Sequence, residues 1–260
     1  MTLSLSPSAP HSSAAASAPR VGMILAAGLG TRMRPLTAET AKPLLPIQGR
    51  TLIDHALDRL AEAGVERVIV NTHWQAEKVA AHLAARPGGP HITIRREASL
   101  LDTGGAVAAA VAEGLLDDAP FFLINGDAYW LDGPTPTLNR LAEAMAAAKP
   151  EAVLLFQRAA LVTGPLGQGD FALDVWGVPR RPEEHEQVPY IFAGVQLVSP
   201  SLFRNAPAGP FSMNRLWDRS IEAGRLRAIV HDGVWFHLST PSDLRTAEFE
   251  LRAHIAGERR

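Results

Sequence analysis

The stretch Leu25-Ala26-Ala27-Gly28-Leu29-Gly30-Thr31-Arg32-Met33-Arg34-Pro35 begins inside an apolar run, Val21 to Ala27, and ends in a turn with almost no side chains. The run predicts a fully buried strand, and the glycines predict the loop that follows it. Gly28 and Gly30 have no Cβ to hold a ligand off the backbone, so consecutive N–H groups can point at anionic oxygens. Arg32, and Lys42 in Ala41-Lys42-Pro43-Leu44, add the positive charge such a ligand needs. These features point to a nucleotide held by its phosphates.

Two familiar nucleotide loops are excluded by spacing. The dinucleotide fingerprint requires a third glycine where this chain has Met33, and an acid at the end of the next strand where this chain has Asn71. The P-loop requires Gly-Lys-Ser/Thr, which is absent from the loop. What remains, Gly28-x-Gly30-Thr31-Arg32-Met33-Arg34-Pro35 with Lys42-Pro43-Leu44 downstream, resembles the signature of the sugar-1-phosphate nucleotidyltransferases.

Composition narrows the class further. At 260 residues and 47% apolar residues, the chain suits one α/β domain with a sizeable core. A net charge of −2 gives no global field for nucleic acid, and no run approaches the roughly 20 apolar residues that span a bilayer. With no cysteine there are no disulfides or thiolate metal sites, which fits a cytoplasmic protein. Lysine occurs only at Lys42, Lys78 and Lys149 among many arginines, which marks Lys42 as a point charge the loop retains. Oligomeric state is not legible.

Residues 1–19 are almost all Ser, Ala and Pro and read as a disordered tail, without the features of a signal or transit peptide. The nucleotide-binding domain is expected over 20–260. Helical spacing is expected over Thr51 to Ala63, a strand over Glu66 to Asn71, and a helix over Trp74 to Ala85. A more exposed strand follows at His91 to Arg95, and an alanine-rich helix opens at Asp102-Thr103-Gly104-Gly105 and runs to about Gly114. This alternation predicts a largely parallel, Rossmann-like mixed sheet flanked by helices.

Ala119 to Asp127 predicts a buried strand ending in Asn125-Gly126-Asp127, with a helix from Thr137 to Ala148 and a strand from Glu151 to Phe156 beyond it. Pro189 to Ser199 is a further strand, with Gly194 in its middle marking a bulge or a close approach to the backbone. Phe211 to Ala223 reads as a helix, Ala228-Ile229 with Val234 to Leu238 as the last strand region, and Pro241 to Ala256 as the terminal helix.

Some of these residues admit two readings on physics alone. Asp102 or Thr103 is a helix cap or part of the pocket, and Gly104-Gly105 permits either tight packing or a base lying flat on the helix. Asp127 is a turn former or a ligand-binding acid beyond the carboxyl end of a central strand. Asp170, in Gly169-Asp170-Phe171, is a solvated turn acid or a partner for sugar hydroxyls. Gln75 pairs with a base edge or sits in water.

The resemblance covers nearly all of 21–250, and no left-handed β-helix repeat follows. It implies the nucleotide-diphospho-sugar transferase fold and a reaction joining a sugar-1-phosphate to a nucleoside triphosphate with loss of pyrophosphate. Arg32 would hold the β- and γ-phosphates, Lys42 the α-phosphate and Asp127 a divalent ion, Mg²⁺ with Mn²⁺ as the alternative. Ala27, Gly28, Gly30, Thr31, Thr103, Gly104, Gly105 and Asn125 would line the nucleotide pocket. The sugar part would lie over about 157–200, with Asp170, Gly194 and Arg181; many members carry a Lys-Pro pair here that reaches the sugar phosphate, and either Arg181-Pro182 stands in for it or that contact is missing.

His237 stands where relatives have the second metal-binding aspartate, and imidazole suits magnesium poorly. Within the family, Arg-Met-Arg-Pro-Leu-Thr, Leu-x-Thr-Gly-Gly, Asn-Gly-Asp and Gly-Asp-Phe in this order are most similar to the N-acetylmuramate-1-phosphate uridylyltransferases. Mannose-1-phosphate guanylyltransferases share most of these motifs, and a nucleotide-binding regulatory paralogue without turnover is the reading from another class.

Overall fold

In the computed structural model, residues 18–162 and 167–258 are described; most of the Ser/Ala/Pro tail lies outside them. Seven strands form the central sheet: β1 Val21–Leu25, β2 Arg67–Thr72, β3 His91–Arg96, β4 Phe121–Asn125, β5 Ala152–Arg158, β6 Tyr190–Val198 and β7 Leu226–Val230. Their order is β7-β5-β6-β4-β1-β2-β3. Every neighbouring pair is parallel except those made by β6, which runs antiparallel to both β4 and β5. The sheet is therefore mixed and mostly parallel.

Apolar spacing determines which helix covers which face. Helix α1 (Leu52–Glu62) starts with the Thr51 side chain accepting from the Asp54 N–H and stops before Gly64, whose φ of 82° lies in the left-handed region. It packs Ile53, Ala56, Leu57 and Leu60 on one face of the sheet beside α2 (Ala76–Ala85) and α4 (Thr137–Ala148). Helices α3 (Asp102–Ala112) and α5 (Asn214–Glu222) cover the other face through Ala106, Val107, Ala110, Leu216 and Trp217. Each fully buried leucine contributes about 1.5–3 kcal/mol of transfer free energy, so these stripes dominate the stability of the layers.

A third, smaller core holds the glycine loop against the C-terminal helix. Helix α6 (Pro241–Glu258) packs Leu244, Ala247 and Leu251 against Met33 of the glycine loop, and against Tyr129, Phe236 and Leu238. Its start is a reciprocal cap: Asp243 accepts from the Ser239 and Thr240 N–H groups, and the Thr240 hydroxyl accepts from the Asp243 N–H.

The structure corrects several expected boundaries. Val234–Phe236 does not continue β7; after a corner at His231–Gly233 it pairs antiparallel with Tyr129–Leu131 outside the main sheet. A Cβ on Gly233 would come within 2.1 Å of the Leu131 carbonyl oxygen, so only glycine fits this corner. Helix α2 starts two residues later than the apolar spacing implies. Gln75 takes φ 53°, and the Trp74 indole turns away to donate to the Thr37 and Thr40 carbonyls. Likewise α5 starts at Asn214 because Phe211 is used in packing against α3.

Candidate active site

Strand β1 lies between β2 and β4, so the chain leaves it in one direction and the sheet grows in the other. Open α/β sheets bind ligands beyond the carboxyl ends of the strands at such a switch point. The glycine loop emerges there. Gly30 has φ 61°, and its carbonyl accepts from the Met33 N–H and from the buried Thr37 hydroxyl at 2.7 Å. A Cβ on Gly30 would sit 3.1 Å from Thr37 Cγ2 and 3.3 Å from Lys42 Cβ, so the loop closes tightly on its own downstream segment. Gly28 differs, because a Cβ there would meet nothing within 4 Å. Trp74, and Lys78 through the Glu39 carbonyl, pin the segment between loop and Lys42.

The loop forms one wall of a cleft of about 500 Å³ lined by Ala27, Gly28, Gly30, Thr31, Arg32, Lys42, Thr103, Asn125 and Asp127. Lys42 Nζ lies 2.5 Å from Asp127 Oδ2, joining the loop to the end of β4. Arg32 is exposed and makes no hydrogen bond or ion pair among the described residues, so its guanidinium is available to an anion. The cleft thus brings two cations, the Asp127 carboxylate paired with Lys42, and a bare backbone turn together.

Two smaller chambers adjoin the cleft at Asn125. One, of about 350 Å³, contains Arg32, Asp127, Asp170, Gly194, Trp235 and His237. The other, of about 240 Å³, contains Asp170, Phe171, Arg181, Phe192, Asn214 and Trp217. Gly194 is a bulge with φ 79°, where the β6 register shifts, and it also faces the first chamber. Asp170 Oδ2 accepts from the Phe192 N–H at 2.9 Å, which aims the carboxylate between both chambers. Arg181 opens on the second chamber, apart from Arg32, Lys42 and Asp127.

His237 is half-buried beside Trp235, with ring centroids 5.8 Å apart. Burial pushes its imidazole below the ordinary histidine range; Asp243 and Asp127 oppose this, while Lys42 and Arg32 reinforce it. The neutral ring therefore stands among the site charges at pH 7. Among the described residues no cluster of three carboxylate, histidine or cysteine side chains surrounds a metal-sized space.

Three expected pocket residues lie elsewhere. Gln75 is at the start of α2 and does not line the cleft. Gly104 and Gly105 are buried under the segment 209–211: both N–H groups donate to the Phe211 carbonyl. A Cβ would come within 2.4 Å of the Phe211 ring at Gly104, and within 2.4 Å of the Gly209 carbonyl oxygen at Gly105. These glycines are packing residues, and Thr103 alone of the trio reaches the cleft. Gly105→Ala is expected to cost about 1–3 kcal/mol, because the contact is with backbone and cannot swing away. A thermal melt that matched the parent protein would contradict this.

Two polar residues of the cleft, Asn71 and Glu97, were not read from sequence as part of it. Asn71 Oδ1 accepts from the Ala26 N–H at 2.8 Å, and its Nδ2 donates to Glu97 at 2.8 Å. Glu97 is 7% exposed, lines the cleft and accepts from the Leu101 N–H. This buried network joins the ends of β1, β2 and β3 to the start of α3. Leu100, Asp102, Pro210 and Ser239 also line the cleft.

A family model described as nucleotidyl transferase matches residues 21–160. N-acetylmuramate alpha-1-phosphate uridylyltransferase of Caulobacter vibrioides is 37% identical over 238 residues, which is 90% of this chain and 98% of that one. The chain belongs to the nucleotidyl transferase family. It is a sugar-1-phosphate nucleotidyltransferase.

More distant is mannose-1-phosphate guanyltransferase of Neurospora crassa, 28% identical over 86% of this chain but only 62% of its own length. A UDP-glucose pyrophosphorylase crystallised with UDP-glucose superposes with a TM-score of 0.73 over 91% of this chain and 99% of that one, at 17% identity. At that identity the likeness shows a shared fold.

Proposed function

We propose that the protein transfers a uridylyl group from UTP to N-acetylmuramate-1-phosphate, releasing pyrophosphate. The observation that carries this reading is the convergence of Arg32, Lys42 and Asp127 on one cleft wall beside the open Gly28 turn. The 37% identical Caulobacter relative, named for that reaction, supports this choice of substrate pair.

Both substrates are polyanions, so the site must mainly cancel repulsion and align them. Arg32 takes the β- and γ-phosphates and then the departing pyrophosphate. Lys42 takes the α-phosphate, where charge builds as a sugar-phosphate oxygen bonds to the α-phosphorus and the bond to the bridging oxygen breaks. The attacking phosphate is already ionised and needs no general base. Asp170, Arg181 and Gly194 belong to the sugar-binding part, which we place over about 157–200, and Asn125 borders it from the nucleotide pocket.

Asp127 is the one carboxylate beside Lys42, and a single acid suits an ion that keeps most of its waters and shares the substrate's phosphates, as Mg²⁺ does. Bound there, Mg²⁺ or Mn²⁺ would neutralise phosphate charge. His237, held neutral, adds a nitrogen better matched to Mn²⁺. No helix of the described residues is long and apolar enough to cross a membrane. A reaction that consumes a nucleoside triphosphate belongs in the cytoplasm.

Purified protein with UTP, N-acetylmuramate-1-phosphate and Mg²⁺ is expected to release pyrophosphate faster than with any other pairing. Preference for GTP with mannose-1-phosphate would move the assignment to a guanylyltransferase. No release with any pairing, despite nucleotide binding, would favour a regulatory paralogue.

A further inference from the structure

The second chamber holds one cation, and its geometry is more specific than a salt bridge requires. Arg181 Nε donates to Asp218 Oδ1 at 2.7 Å and Nη2 donates to Asn214 Oδ1 at 2.8 Å. Its guanidinium carbon lies 4.2 Å over the Phe171 ring. A guanidinium has five N–H donors in a rigid fork. Both contacts fall on the side that joins Nε to Nη2. The end of the fork formed by Nη1 and Nη2 therefore keeps one N–H on each nitrogen, the pair that receives a carboxylate in two parallel bonds.

The rest of the chamber suits a sugar carrying an acid. Phe171, Phe192 and Trp217 form apolar walls, with Phe192 and Trp217 ring centroids 4.7 Å apart in an edge-on contact. Asp170, the only acid lining the chamber among the described residues, accepts the Phe192 N–H through one oxygen, and its other oxygen has no donor among them. The triphosphate's cations, Arg32 and Lys42, stand in the neighbouring cleft, which Arg181 does not line.

We infer that Arg181 is the specificity-determining residue that pairs with a carboxylate substituent on the sugar, rather than with its phosphate. The inference rests on the proposed N-acetylmuramate reading, whose lactyl ether supplies such a carboxylate. N-acetylglucosamine-1-phosphate is the same sugar without it. A charge-assisted bidentate contact predicts a large effect on one substrate and little on the other.

In steady-state assays with UTP, Arg181→Met is expected to lower kcat/KM for N-acetylmuramate-1-phosphate about 10- to 100-fold, and to change that for N-acetylglucosamine-1-phosphate by less than about threefold. Arg181→Lys, which keeps the charge but loses the fork, should fall between parent and Arg181→Met. Asp218→Asn removes the anchoring ion pair while leaving the fork's free end, and should retain the preference for the acidic sugar. Parallel losses on both sugars, or an unchanged ratio in Arg181→Met, would overturn the inference and leave the substrate assignment standing. A parent protein that uses neither sugar, or only the uncharged one, would overturn both.

Discussion

Arg32→Ala is expected to lower kcat about 10²- to 10³-fold while leaving the thermal unfolding midpoint nearly unchanged. The magnitude is that of removing one preorganised donor from a developing negative charge. The stability side follows from position: Arg32 is exposed and makes no hydrogen bond or ion pair among the described residues, and such surface changes stay within about 0.5 kcal/mol. Its neighbour Met33 is fully buried in the α6 core, so the loop keeps its path when the arginine is cut back. Because the contact is assigned to charge that grows as pyrophosphate leaves, kcat should fall more than the affinity for UTP. Rapid-quench turnover alongside nucleotide binding by calorimetry would separate the two, and an unchanged kcat would remove Arg32 from the mechanism.

Lys42→Met is expected to abolish turnover to a similar or greater extent and, unlike Arg32→Ala, to destabilise the fold. The Lys42 side chain is 12% exposed and Asp127 38%, and they meet at 2.5 Å. Cutting back the lysine leaves a half-buried carboxylate without its partner, at a cost of about 1–3 kcal/mol. Asp127→Asn should cost a comparable amount by stranding the lysine. The double variant Lys42→Met/Asp127→Asn should recover stability relative to the sum of the singles, because neither charge is then left alone. Activity should not recover, since the phosphate contact and the carboxylate are both gone. Strictly additive unfolding energies would show that the pair is not coupled in solution.

Much of the site was legible because its signals are local. Gly28-x-Gly30-Thr31-Arg32 is one continuous turn, and the run Phe121 to Asp127 carries its own strand and exit. Lys42 stood out by the scarcity of lysine. The helices on the sheet faces were legible through apolar spacing, as in Thr137–Ala148, whose bounds match the expected ones. What escaped lies in contacts between distant segments. Asn71 looked like a reason to exclude one motif, yet it holds the Ala26 amide across 45 residues. Gly104-Gly105 sits in a motif associated with nucleotide, yet Phe211, more than 100 residues later, occupies the space in front of it.

The order of residues by itself determined the alternating strands and helices, the bare glycine turn and the charges beside it, because each depends on neighbours within a few positions. Only the tertiary structure decided that Lys42 meets Asp127, that Glu97 closes into the cleft and that Arg181 faces a separate chamber. Those facts depend on which strand ends the sheet order brings side by side, and no local spacing encodes that.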